Sequence, residues 1–319
     1  MKRRDFLKMA GSGAIIATSA GEVSARGNRP VSEEAVGMLF DATRCIGCRA
    51  CVVRCKELNG MPPVTSEGAG MWDEAQELDA RTLNIIKAYK GEDTQGQPEF
   101  SFIKRNCMHC VDPGCVSACP VSAMTKDPKT GIVDHHPDIC MGCRNCVVAC
   151  PYNIPKYEYN DAFGQIQKCR LCNQKGLERI DQGLLPGCAE VCPTGANIYG
   201  KRKDLLEEAK RRLSLKPGDE YHYPLNHLDS PFTAPAKVGE YQTHIFGEKE
   251  GGGTQVLLLA GVPFEKLGLP DLPERSYASM SETVQHTIYK GMFAPMTLLA
   301  GLLYVARRNT QDKTPDELD

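Results

Sequence analysis

Residues 45–55 read CIGCRACVVRC, four cysteines in eleven positions, separated by two, two and three residues. A zinc site takes four ligands, usually as two separated C-x-x-C pairs. A disulfide needs partners whose Cα atoms lie about 4.4–6.8 Å apart, and four thiols crowded on one turn offer few such pairings. A cube of iron and sulfide carries a thiolate site on each of four irons, and three ligands at this spacing can wrap one of its faces. The run C-x2-C-x2-C-x3-C is that of paired [4Fe–4S] centres, in which the fourth cysteine ligates the other cluster.

Working outward, the same grammar returns three times. The chain of 319 residues has 16 cysteines, and all of them fall between Cys45 and Cys192. The first group is Cys45, Cys48, Cys51 and Cys55; the second, in CMHCVDPGCVSACP, is Cys107, Cys110, Cys115 and Cys119. The third, in CMGCRNCVVACP, is Cys140, Cys143, Cys146 and Cys150. The fourth is split into Cys169 and Cys172, then Cys188 and Cys192. Each group ends in C-x3-C, and the last three are followed by Pro120, Pro151 and Pro193. This is an internal repeat of cluster-binding units, and sixteen thiols at four per centre make four [4Fe–4S] clusters with none to spare.

Rival uses of these thiols are a disulfide framework, which suits an exported chain with an even cysteine count, and zinc in the split fourth group. Neither predicts four copies of one ligand pattern. Haem of the c type needs C-x-x-C-H, and no C-x-x-C here precedes His. A net charge of −2 gives no electrostatic footprint for nucleic acid. No nucleophile–base pair, nickel ligand set, flavin motif or nicotinamide motif is present, and EGGGTQ lacks the Gly-Lys-Ser/Thr of a phosphate loop. The expected role is a non-catalytic conductor of electrons.

The ends carry different signals. MKRRDFLKMAGSGAIIATSAGEVSARG at residues 1–27 reads as a twin-arginine export signal, with Lys2, Arg3 and Arg4 before a mildly apolar stretch. IYKGMFAPMTLLAGLLYVA at residues 288–306 holds one charge, Lys290, in 19 residues. As a helix it spans ~28 Å, close to the ~30 Å of a bilayer core. Tyr289 and Tyr304 lie near its ends, Pro295 falls within two turns of its start, and Arg307 and Arg308 follow it. The positive-inside tendency then leaves residues 307–319 cytoplasmic and everything before the helix outside. A helix buried in a soluble core is the alternative.

Between the first two groups, residues 56–106 form an insert with the single tryptophan, Trp72. AMTKDPKTGIVDHH reads as a hairpin, with His135 and His136 as exposed turn residues rather than ligands. ANIYG reads as a strand, and Asp204 as the cap of a helix whose Leu205, Leu206, Ala209 and Leu213 form one apolar stripe. Residues 201–286 have little periodicity beyond the strand-like TQVLLLAGV and read as a segment that wraps the core or meets a partner. Arg44, Arg49, Arg54 and Lys56 flank the first group, and positive charge there favours a reduced cluster.

The four groups in this order, the last one split, resemble the electron-transfer subunits of membrane-linked bacterial oxidoreductases: formate dehydrogenases, dimethyl-sulfoxide-type reductases and nickel–iron hydrogenases. CMHCVDPGCVSACPVSA, DPKTGIV, CPYNIPKYEYN, FGEKEGGGTQVLLLAGVPFE and QHTIYKGM are most similar to the iron–sulfur subunit of type-2 uptake nickel–iron hydrogenases. The resemblance implies an α+β fold of tandem bacterial ferredoxin-like repeats over residues 36–200, with small β-hairpins and short helices, plus one C-terminal transmembrane helix. It implies a pairing of ligands: Cys45, Cys48 and Cys51 with Cys192; Cys107, Cys110 and Cys115 with Cys150; Cys140, Cys143 and Cys146 with Cys119; Cys169, Cys172 and Cys188 with Cys55. It also implies hydrogenase small and large subunits and an integral membrane quinone-reactive subunit as partners, on the periplasmic side of the inner membrane. A molybdopterin oxidoreductase is the alternative partner.

Overall fold

The computed structural model describes residues 26–63, 77–92 and 95–311. Trp72, the tail beyond Gln311 and all but the last residues of the expected export signal lie outside the described residues. The chain divides into two units, Asn28–Ala278 and a second that takes in the rest of the C-terminal helix.

Strand β1, Val36–Asp41, organises the first unit. It lies between β8, Asn197–Lys201, and β11, Val256–Leu259, antiparallel to the former and parallel to the latter. In register, Leu39 pairs with Ile198 on one side and Leu257 on the other. VLLL of β11 is buried throughout, as a strand covered on both faces must be. Successive side chains of β1 alternate between two cores. Leu39 packs with Ile198, Leu257, Leu259 and the Leu205 and Ala209 of the helix Arg202–Ser214. Met38 and Phe40 face the other way, into a core that includes Cys107, Cys188, Ile85 and Ile103. One strand thus divides an ordinary helix–sheet core from the thiol-bearing core.

The remaining strands form four hairpins: β2, Ile85–Glu92, with β3, Pro98–Arg105; β4, Met124–Lys126, with β5, Val133–His135; β6, Lys156–Tyr157, with β7, Ile166–Gln167; and β9, Glu220–Pro224, with β10, Thr233–Lys237. Only the second falls where the sequence places a hairpin. There Asp127 accepts the backbone N–H of Lys129 and of Thr130. Burial alone would raise its carboxyl, but these donors hold it below the ordinary range. His135 is buried in β5, because the strand turns alternate residues inward, while His136 is exposed and bonds Thr125.

The helices are α1, Ala50–Leu58; α2, Gly114–Ser117; α3, Asn145–Val148; α4, Gly187–Glu190; α5, Arg202–Ser214; and α6, Tyr277–Gln311. Asp204 does not cap α5: β8 runs directly into it, Lys201 holds the capping position, and Asp204 sits in the first turn. The Arg202 N–H, one of the unpaired donors a helix start presents, is taken by the Ala35 carbonyl at 2.8 Å. Leu205 and Ala209 are buried, and Leu206 and Leu213 pack partly buried against the same core.

Helix α6 exceeds the expected span at both ends. The polar turns from Tyr277 and the residues from Arg307 to Gln311 are helical too, so Pro295 lies deep inside the helix. An apolar window locates only the segment that lipid would need, not the amphipathic turns that lead into it. The helix has a mean hydropathy of 1.4 over its most apolar stretch, with none of that stretch buried. By length and composition it can cross a membrane.

Candidate iron–sulfur centres

The thiols are built onto the chain in two recurring ways. In the first and third groups the loop before a short helix places Gly47 and Arg49 at φ 68° and 60°, and Gly142 and Arg144 at φ 70° and 62°. A left-handed arginine costs roughly 1–2 kcal/mol, so each C-x-x-C loop is held by its surroundings. The short helices pack in pairs through glycine. A Cβ on Gly187 of α4 would stand 2.4 Å from Leu58 Cδ1 of α1, and one on Gly114 of α2 would stand 2.8 Å from the Ala149 carbonyl beside α3. These close approaches bring the end of each group beside another.

Electrostatic contacts then link the thiols of different groups. Cys45 lies in electrostatic reach of Cys192 and Cys48, and Cys51 of Cys45 and Cys192. Cys110 lies beside Cys150, Cys115 and Cys107. Cys146 lies beside Cys119, Cys140 and Cys143. Cys169 lies beside Cys55, Cys188 and Cys172. The sets also adjoin one another. Cys51 reaches Cys188, Cys169 reaches Cys107, and Cys115 reaches Cys146. The order along the row is therefore first, fourth, second, third. Cys48 and Cys143, one in each terminal set, are exposed.

All sixteen cysteines are free. Among the described residues no group of three His, Cys, Asp or Glu side chains is placed to hold a single metal ion. Two sets line cavities: Cys45, Cys48, Cys51 and Cys192 with Phe40 and Lys104, and Cys119, Cys140, Cys143 and Cys146 with Met124 and Ile166. Burial pushes the thiols of Cys45, Cys51, Cys55 and Cys115 up to about 12, and neighbouring thiols push the same way. Such groups hold their protons until a cation displaces them, as iron does on binding. Donors already point at the sulfurs. Ala123 N–H bonds Cys119 Sγ at 3.2 Å, Asn59 Nδ2 lies 3.7 Å from Cys55 Sγ, and Gly47 N–H bonds Cys45. Such bonds, with burial and net charge, set the potential of a [4Fe–4S] centre, which takes up and releases one electron.

One cation near these sets comes from the insert, which the sequence suggests packs over the clusters or meets a partner but to which it assigns no chemistry. Lys104, on β3 of the insert, is 2% exposed and lies among Cys188, Cys51 and Cys169. Of the cations flanking the first group, Arg49 lines the same cavity. Arg44 instead lies over the Tyr223 ring at 4.3 Å, and Arg54 pairs with Glu190 at 3.1 Å.

The insert also locks the first loop. A Cβ on Gly47 would stand 2.4 Å from the Phe102 ring, at a φ of 68° that only glycine adopts freely. Gly47→Ala is expected to cost about 2–4 kcal/mol from overpacking and backbone strain together. Adding Phe102→Leu should recover only the packing part. Heating each variant while following its visible absorbance checks this.

Comparison with known proteins now fits the geometry. Two models described as 4Fe-4S dicluster domain match residues 44–123 and 98–202, so the protein is of the ferredoxin class and carries four [4Fe–4S] clusters. The chain is 52% identical over 322 residues to the "Hydrogenase-2 operon protein HybA" of Escherichia coli O157:H7 and of Shigella flexneri, covering 99% of this chain and 98% of each of those. It is 32% identical to the Formate dehydrogenase-O iron-sulfur subunit of Escherichia coli strain K12, over 83% of this chain and 78% of that one. With the nitrate-inducible formate dehydrogenase iron-sulfur subunit of the same strain the identity is 34%, over 61% and 70%. The chain belongs to the HybA family of iron–sulfur electron-transfer proteins.

Proposed function

We propose that the chain is the electron-transfer subunit of a nickel–iron hydrogenase complex, receiving electrons from the hydrogenase small subunit and delivering them to a quinone-reactive membrane subunit. The observation that carries this reading is the near full-length identity to a hydrogenase-2 operon protein. It extends over the segments beyond the cysteine-bearing region, where a partner rather than a cluster would constrain the sequence. The row of four thiol sets supplies a path through the protein, and the sixteen cysteines are its ligands in the four sets described. On this reading, residues 36–200 are tandem ferredoxin-like repeats. The recurrence of the left-handed pair Gly47 and Arg49 at Gly142 and Arg144 supports that. Residues 1–27 are an export signal, 201–286 contact a partner subunit, and 307–319 stay in the cytoplasm.

The C-terminal helix is the membrane anchor. Ile288, Leu298, Leu299, Leu303 and Tyr304 are 56% exposed or more, which suits lipid rather than water. Arg307 and Arg308 at its far end favour the cytoplasmic side, placing the clusters on the periplasmic face. A second reading, service to a molybdopterin enzyme, is supported by the identities to formate dehydrogenase subunits. Purification of the tagged full chain from solubilised membranes decides between them. Nickel with hydrogen-dependent reduction of a quinone analogue is expected. Molybdenum with pterin would transfer the chain to the second reading, and absence of any large subunit would reject both.

A further inference from the structure

Lys104 is a cation without a carboxylate partner: among the described residues no Asp or Glu lies within ion-pairing distance of it. Its Nζ donates to Asn197 Oδ1 at 3.3 Å, lies 3.9 Å from Met38 Sδ, and is within electrostatic reach of Cys188. Cys188 Sγ itself lies 3.6 Å from the same Met38 Sδ. Lys104 also lines the cavity of Cys45, Cys48, Cys51 and Cys192. An unpaired ammonium ion at this depth would be strongly disfavoured. The sulfurs around Lys104 therefore belong to the first and fourth sets together.

We infer that Lys104 is a shared internal counter-charge for the first and fourth clusters, raising the reduction potential of both and leaving the second and third to be set by other groups. A [4Fe–4S] centre with four thiolates carries a net charge of 2−, and uptake of one electron makes it 3− with no bond made or broken. A fixed positive charge beside it stabilises the second state more than the first. Two other lysines near the thiols donate to backbone carbonyls. Lys126 donates to the Cys110 and Gly131 carbonyls at 3.0 and 2.9 Å, and Lys168 to the Cys169 carbonyl at 3.1 Å. The inference rests on the ligand sets proposed above and not on which enzyme is the partner.

The test is a reductive titration of the full chain followed by electron paramagnetic resonance, for wild type, Lys104→Gln and Lys104→Arg, with iron measured in each. The first and fourth signals are identified by their loss in Cys45→Ala and Cys169→Ala. In Lys104→Gln both should fall by a tenfold shift in the reduction equilibrium, about 59 mV for a one-electron couple. The other two should hold, and Lys104→Arg should return the pair towards wild type. An unmoved pair, an equal shift of all four, or an arginine variant that behaves as the glutamine one overturns the inference. If Lys104→Gln loses iron, Asn197→Asp decides: a negative charge beside Lys104 should lower the same two midpoints, and an unchanged pair rejects the idea. Wild-type protein with iron for fewer than four clusters would instead reject the ligand sets.

Discussion

Replacing Cys192 by alanine is expected to abolish the same paramagnetic signal as replacing Cys45, and to remove about a quarter of the bound iron. The two residues stand at opposite ends of the cysteine-bearing sequence, yet each lies in electrostatic reach of the other. Cys188, only four residues before Cys192, lies in reach of Cys172 and Cys55 as well as of Cys51. Cys188→Ala should therefore silence the signal lost in Cys169→Ala, and Cys150→Ala that lost in Cys107→Ala. A Cys192→Ala protein lacking the signal that Cys169→Ala lacks would contradict the four sets. The loss should be nearly complete for each signal, because a centre with one site opened to water in a buried cavity is exposed to hydrolysis and oxidation.

The largest effect on stability is expected at Arg212. This residue of α5 is fully buried, with Nη1 3.0 Å from Asp41 Oδ2 and Nε 2.8 Å from Glu208 Oε1. Tyr241 donates to Asp41 at 2.7 Å and Tyr221 to Glu208 at 3.0 Å. Burial disfavours the guanidinium charge, but the two carboxylates outweigh it and keep it protonated. Arg212→Met removes the cation and leaves two carboxylates out of water, which should cost about 3–5 kcal/mol. In a domain of this size that is a fall of roughly 10 °C in the temperature at which cluster absorbance is lost. Asp41 ends β1 four residues before Cys45, and its side chain holds the Thr43 hydroxyl at 2.6 Å. The loss should thus reach the first cluster before the others. A shift no larger than that of Lys210→Met, an exposed site on the same helix, would show that the network adds nothing.

What could be read from residue order follows the range of the forces involved. Ligand spacing is local, so each C-x2-C and C-x3-C announces itself. The hairpin around Asp127 was legible for the same reason, since Asp-Pro and Thr-Gly act within a few residues. Lys104 was hidden. In FSFIKR it looks like one of two solvated charges at a strand end, and only the pairing of β3 with β2 turns it inward. His135 was misread as exposed because two adjacent histidines at a turn give no sign of which one the pleat buries. The hairpin Glu220–Pro224 with Thr233–Lys237 escaped too, its alternation broken by proline and histidine.

The nesting of the four sets has a consequence for biosynthesis. In the proposed assignment, the second and third have all their ligands once Cys150 has been made, since they draw only on Cys107 to Cys150. The other two stay open until Cys188 and Cys192 leave the ribosome, because their remaining members wait upstream of the whole inner pair. With the proposed ligand sets, a nascent chain stalled between Cys150 and Cys188 has thiols for the second and third clusters alone and is expected to hold at most half the iron of the full chain.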